Sequence, residues 1–187
     1  SERVMGENSD ILCTVDGAVA RVVFNRPEAR NAFTFAMYER LAGFCTEVGA
    51  MPEVRALIMT GAGDKAFAAG TDIAQFQSFE SGEDGIAYEL KMDRILGEIE
   101  RCTVPTIAAI NGFCTGGGAA IAAVCDLRIG SASAQFGFPI ARTLGVNALT
   151  NAIGPGTRAN ACIGRALQLS LRNIGGARSD TDGEHAL

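Results

Sequence analysis

Two apolar runs, "VRALIMTG" from Val54 and "TIAAIN" from Thr106, constrain this chain more than any other feature. Each is too short for a helix and ends in a polar, glycine-bearing loop, which reads as a fully buried strand. Around them the period changes. "ILCTVDGAVARVVFN" reads as two strands about an Asp16-Gly17 turn. "FTFAMYERLAGFCTEVGA" sets Met37, Leu41, Phe44, Cys45 and Val48 at helical spacing behind Thr34 as N-cap. "AGDKAFAAGTD" reads as a loop, and "IAYELKMDRILGEIERC" places Ile86, Leu90, Ile95 and Ile99 on one helical stripe that Pro105 ends. A glycine triplet then opens a helix over Gly117 to Val124, and "DLRIGS" is the next strand. This alternation predicts an α/β fold with helices packed on largely parallel strands.

In such folds ligands sit at the carboxyl ends of strands. The two places to look are therefore Gly61 to Asp72 and Asn111 to Gly118. Neither carries the Walker or dinucleotide glycine pattern. The second puts free backbone N–H groups at a helix N-terminus, where donors and dipole favour developing negative charge. "FAAGTD" surrounds another amide with small residues. Two amides converging from these loops would make an oxyanion hole for a thioester or carbonyl oxygen. The alternative is that the glycines serve close helix–strand packing.

Composition removes other chemistries. At 187 residues and 48% hydrophobic, the chain supports one domain, or one with an appendage, and a substantial core. A net charge of -5 argues against a nucleic-acid partner. The six cysteines form no C-x-x-C pair and read as reduced, buried thiols. With a single histidine, His185, a Ser-His-Asp triad or a His/Cys zinc site has little to draw on, so no metal is expected and any general acid or base is a carboxylate. "SERVMGENSD" has no secretory pattern, and no apolar run reaches the ~20 residues that span a bilayer. A soluble, cytoplasmic protein is the expectation.

"NRPEARNAF", "KAFAAGTDIAQF", "PTIAAINGFCTGGG", "AVCDLRIGS" and "AQFGFP" occur in the order and approximate spacing of the crotonase superfamily, the enoyl-CoA hydratase/isomerase family. The resemblance covers about residues 11–145. It implies a crotonase-like (ClpP/crotonase) spiral of ββα units that binds acyl-CoA thioesters, as a homotrimer or dimer of trimers, with no cofactor beyond the CoA of the substrate. By motif, the oxyanion donors correspond to the amides of Thr71 and Gly117, with Gly70 and Gly116 beside them. The backbone around Ala68 and Ala69 corresponds to the seat for the adenine end of CoA, and Arg26, Arg30 and Lys65 are candidates for its phosphates. Asp72 and Asp126 also match family positions, and there a turn or cap is expected rather than catalysis.

The resemblance departs where family hydratases carry two glutamates. Those positions are Ala120 and Ile140. Neither side chain can transfer a proton, and such steps contribute about 10² to 10⁴-fold each. Simple hydration of a short enoyl-CoA is therefore expected to be slow or absent. Three readings follow: another crotonase reaction such as thioester hydrolysis or decarboxylation; acidic residues Glu80, Glu83 and Asp84 reaching the site, against a solvated acidic loop; or acyl-CoA binding without turnover, as a binding or assembly module. Residues 1–145 read as the acyl-CoA-binding core. Residues 146–187 read as an atypical helical tail, with Ile163, Ala166, Leu167, Ser170 and Leu171 forming a stripe before Gly175-Gly176. A fusion, a rearrangement or a truncated reading frame would explain such a join.

Overall fold

The computed structural model describes residues 2–6 and 8–137. A short β1 (Arg3–Val4) precedes β2 (Ile11–Asp16) and β3 (Val19–Phe24), and α1 (Phe35–Gly49) follows. Next come β4 (Ala56–Gly61), β5 (Ala66–Ala68), α2 (Gly82–Glu100), β6 (Thr106–Ile110), β7 (Phe113–Thr115), α3 (Gly117–Val124), β8 (Leu127–Gly130) and β9 (Gln135–Gly137). Short 3-10 turns occupy Pro27–Ala29 and Ile73–Phe76.

β2 and β3 form the expected antiparallel hairpin, and Gly17 takes φ 57° in its turn. From β3 onward the chain is a spiral. One strand of each turn joins a six-stranded sheet of order β1-β2-β3-β4-β6-β8, parallel from β3 through β8. The next strand of each turn joins a parallel three-stranded sheet of order β5-β7-β9. Thus β4-β5-α2 and β6-β7-α3 are successive ββα units, and β8-β9 begins another. This is the crotonase-like spiral.

The segment read as a loop after β4 is a loop only in part. Ala66–Ala68 is a strand, wholly buried and paired with β7. Three residues are too few to show a period, so pairing with distant chain decides this strand.

Helix α1 forms as the sequence predicts. Thr34 accepts from the Met37 N–H at 3.2 Å, and Met37, Leu41, Phe44, Cys45 and Val48 are all buried. Helix α2 corrects its predicted stripe. Ile95 and Ile99 are fully buried, but Ile86 and Leu90 are 64% and 66% exposed. From Ile86 to Ile95 a helix of about 3.6 residues per turn advances roughly two and a half turns, which puts the two pairs on opposite faces. The buried stripe is Met92, Ile95 and Ile99, with half-buried Tyr88 one turn earlier. No helix among the described residues is long and apolar enough to cross a membrane. The predicted tail, including the stripe at 163–171, and Ile140 lie outside the described residues.

Candidate functional site

Two asparagines, Asn31 in the loop after β3 and Asn111 just past β6, lock the loops that carry the site. Asn31, itself buried and at φ 56°, donates to the carbonyls of Ala62 (3.0 Å) and Ala66 (2.7 Å) and accepts from the Arg26 N–H at 3.0 Å. It ties the loop after β3 to the loop after β4. Asn111, just past β6, donates to the carbonyls of Gly61 (2.8 Å) and Gly63 (2.7 Å). A side-chain amide can satisfy several backbone groups at once, so each of these residues fixes a loop that has no ladder of its own.

The first candidate loop then runs Ala68-Ala69-Gly70-Thr71. Phe33 N–H donates to the Gly70 carbonyl and Asp72 N–H donates to the Phe33 carbonyl, both at 2.8 Å. Phe33 and Thr71 are thereby paired in parallel. Successive peptide groups of extended chain point to opposite sides, so the Thr71 N–H faces away from Phe33. Among the described residues it has no acceptor.

The second loop is the glycine triplet, and each glycine has its own reason. Gly116 takes φ 52° and ψ −122°, a backbone that side chains strain. A Cβ on Gly117 would overlap the Tyr38 hydroxyl, and one on Gly118 would overlap the Ala68 carbonyl. Gly118 is therefore the close helix–strand packing that the sequence left open as an alternative, because it seats α3 directly on β5. Gly117 begins α3, and its N–H, like that of Thr71, has no acceptor among the described residues.

The two loops touch through Gly70, itself at φ 96°. A Cβ there would lie 3.6 Å from the Thr115 carbonyl oxygen and 3.9 Å from the Gly117 nitrogen, and one on Gly116 would lie 3.5 Å from the Gly70 Cα. Thr71, Gly117, Gly70 and Gly116 are thus brought together. Ala68 is buried beneath them, and Ala69 N–H donates to the Arg30 carbonyl at 3.0 Å.

The candidate cations divide. Arg26 is engaged within the protein: its guanidinium lies 2.9 Å from the Asp72 carboxylate and donates to the Ala32 carbonyl at 2.7 Å. Arg30 and Lys65 are exposed. The Arg30 guanidinium stands 5.7 Å over the Phe113 ring, while the Lys65 carbonyl accepts the Phe113 N–H. Asp72 caps the 3-10 turn Ile73–Phe76, accepting from the Ala74 N–H at 3.0 Å. That N–H first, and Arg26 second, hold its carboxyl below the ordinary aspartate range. Asp126 is also structural, accepting from the Thr106 N–H (2.9 Å) and hydroxyl (3.0 Å). Among the acidic residues considered as substitutes, Asp84 accepts the N–H groups of Glu80 and Ser81 at 2.9 Å and caps α2. Glu80 and Glu83 are exposed. Ala120 sits buried in the first turn of α3.

Sequence reasoning missed Asn31, Tyr38 and Tyr88, and it placed Asn111 in a candidate loop without its tethering role. A polar residue ending an apolar strand beside a glycine was the available signal for Asn111. Nothing local marks the tyrosines, whose hydroxyls meet Thr71 from two different helices, at 2.9 Å from Tyr38 and 3.2 Å from Tyr88.

Comparison with known proteins agrees with this architecture. The chain matches the family model for enoyl-CoA hydratase/isomerase over residues 14–163. It is 38% identical over 133 residues to a short-chain-enoyl-CoA hydratase of Clostridium acetobutylicum, covering 71% of this chain and 51% of that protein. It is 39% identical to a crotonyl-CoA hydratase of Syntrophomonas wolfei, covering 70% and 50% of the two chains. The solved structure of an enoyl-CoA hydratase/carnithine racemase from Magnetospirillum magneticum superposes with a TM-score of 0.72 at 33% identity, covering 89% of this chain and 62% of that one. The chain spans about half the length of the relatives it matches in sequence. With the spiral and an extended family match in agreement, the chain belongs to the enoyl-CoA hydratase/isomerase family of the crotonase superfamily.

Proposed function

We propose that this chain acts on an acyl-CoA thioester, holding the thioester oxygen between the amides of Thr71 and Gly117. The observation that carries the reading is the contact of the two loops at Gly70, with both N–H groups lacking an acceptor among the described residues. Charge that develops on the oxygen as an enolate forms meets two fixed donors and the N-terminus of α3. Losing one such donor costs about 3–4 kcal/mol in the transition state. Exposed Arg30 and Lys65 meet the CoA phosphates, and the backbone at Ala68 and Ala69 meets the adenine end. Arg26 and Asp72 hold the loop rather than the ligand, because each already engages the other. The reaction needs no cofactor beyond CoA.

Ala120 offers no proton at the start of α3, which favours reactions that lean on the oxyanion donors, such as thioester hydrolysis or decarboxylation, over hydration. The same residue supports the second reading, a non-catalytic acyl-CoA-binding or assembly module. Assembly as a trimer or dimer of trimers belongs to the first reading by family. A panel of enoyl-, β-keto- and malonyl-type CoA thioesters, assayed beside a binding titration, separates them. Turnover of one class supports the enzyme. Binding without turnover on every class supports the module, and no binding at all refutes both.

A further inference from the structure

A run of three hydroxyls borders the two amides. Tyr38 on α1 meets Thr71 Oγ1 at 2.9 Å, and Thr71 Oγ1 meets Tyr88 on α2 at 3.2 Å. The run lies against Gly117: a Cβ there would overlap the Tyr38 hydroxyl and come 3.2 Å from Thr71 Oγ1. The glycine that begins α3 therefore leaves room for these hydroxyls.

Counting protons leaves the run one spare donor. Three hydroxyls carry three protons, and two links use two of them. One O–H is left to donate outward. Tyr38 is 1% exposed and enclosed, so its end offers little access, whereas Thr71 and Tyr88 are half-buried. Burial pushes both tyrosines above the ordinary range, so the run stays neutral and keeps its spare proton. Tyr88 is held by rings: Phe76 stands 4.9 Å and Phe35 5.7 Å from it, centroid to centroid. Its hydroxyl is thus aimed from a packed aromatic cluster rather than from a mobile surface.

We propose that the Thr71 hydroxyl is a third hydrogen-bond donor to the thioester oxygen, beside the amides of Thr71 and Gly117, and that Tyr38 and Tyr88 are positioning residues that turn its proton toward the ligand. With both tyrosines donating to Thr71 Oγ1, the only proton left on that oxygen points out of the run. This rests on the acyl-CoA reading above. No proton leaves the chain, so the reaction needs no further co-reactant for this step.

The test is the infrared stretch of a carbonyl-13C-labelled crotonyl-CoA bound to the full chain, with affinity for the thioester measured on the same samples. Each donor to the oxygen lowers the stretch. The expected result is a lowered frequency in the unmodified chain, retained in Thr71→Ser. Thr71→Val, which keeps the amide and the shape, and Tyr88→Phe should each return part of the shift while thioester affinity changes by less than about tenfold. A shift equal in all four proteins, with the thioester bound, overturns this proposal and leaves the acyl-CoA reading standing. Failure of the unmodified chain to bind the thioester overturns both. Tyr38→Phe gives a second variant on the opposite side of Thr71, and an unchanged shift there and in Tyr88→Phe removes the positioning role.

Discussion

Gly117 shows how much one missing methyl decides. Its Cα lies against the Tyr38 hydroxyl, a buried group with little freedom to move. We expect Gly117→Ala to cost about 1–3 kcal/mol in denaturant-measured stability, as overpacking does, and to weaken thioester binding more than binding of free CoA. The triplet was legible as a place needing bare backbone. The separate reasons for Gly116, Gly117 and Gly118 were not, because they depend on Tyr38, Ala68 and a left-handed φ that the local sequence does not encode. The cysteines divide by the same logic. Burial pushes Cys13 to about 11 and Cys114 and Cys125 to about 12. Cys102 is only half-buried, and its thiol donates to the Cys45 carbonyl at 3.6 Å. It lines a cavity of about 330 Å³ between α1 and the end of α2, with Glu98, Arg101 and Thr103. Thiolate is the form that alkylates. In a timed iodoacetamide reaction at neutral pH, read by peptide mass spectrometry, Cys102 should therefore label well before Cys13, Cys114 and Cys125. Equal rates would contradict the assignment.

Periodicity located the long helices, and packing chose their faces. For α1 the two agree. For α2 the period was right and the stripe was joined across a half-turn, since Ile86 and Leu90 lie opposite Ile95 and Ile99. Charge reinforces the observed face: Arg94 and Lys91 reach Glu39 of α1 at 2.6 and 3.1 Å. The consequence is measurable by denaturant unfolding. Ile99→Ala should cost about 2–5 kcal/mol, while Leu90→Ala should change stability by no more than about 0.5 kcal/mol. Comparable losses would restore the original stripe. Strands β5, β7 and β9 mark the limit of local reading. Each has three residues, and their pairing joins segments far apart in the chain.

The described residues form a spiral whose successive turns deliver one loop each to the same place. The order of buried strands and helices was enough to predict an α/β fold. Five motifs in order resembled one superfamily, and the fold and the family match agree with it. Convergence of Gly70-Thr71 on Gly116-Gly117 is a property of the turn-to-turn stacking, so it appears only when the chain is folded. The central claim is that those amides hold a thioester oxygen. Calorimetric titration with butyryl-CoA and with its S-butyl thioether analogue, which lacks that oxygen, tests it most directly. The account predicts that the thioester binds about tenfold or more tightly than the thioether, a difference of roughly 1.4 kcal/mol. Equal affinities, or no binding of the thioester, would contradict it.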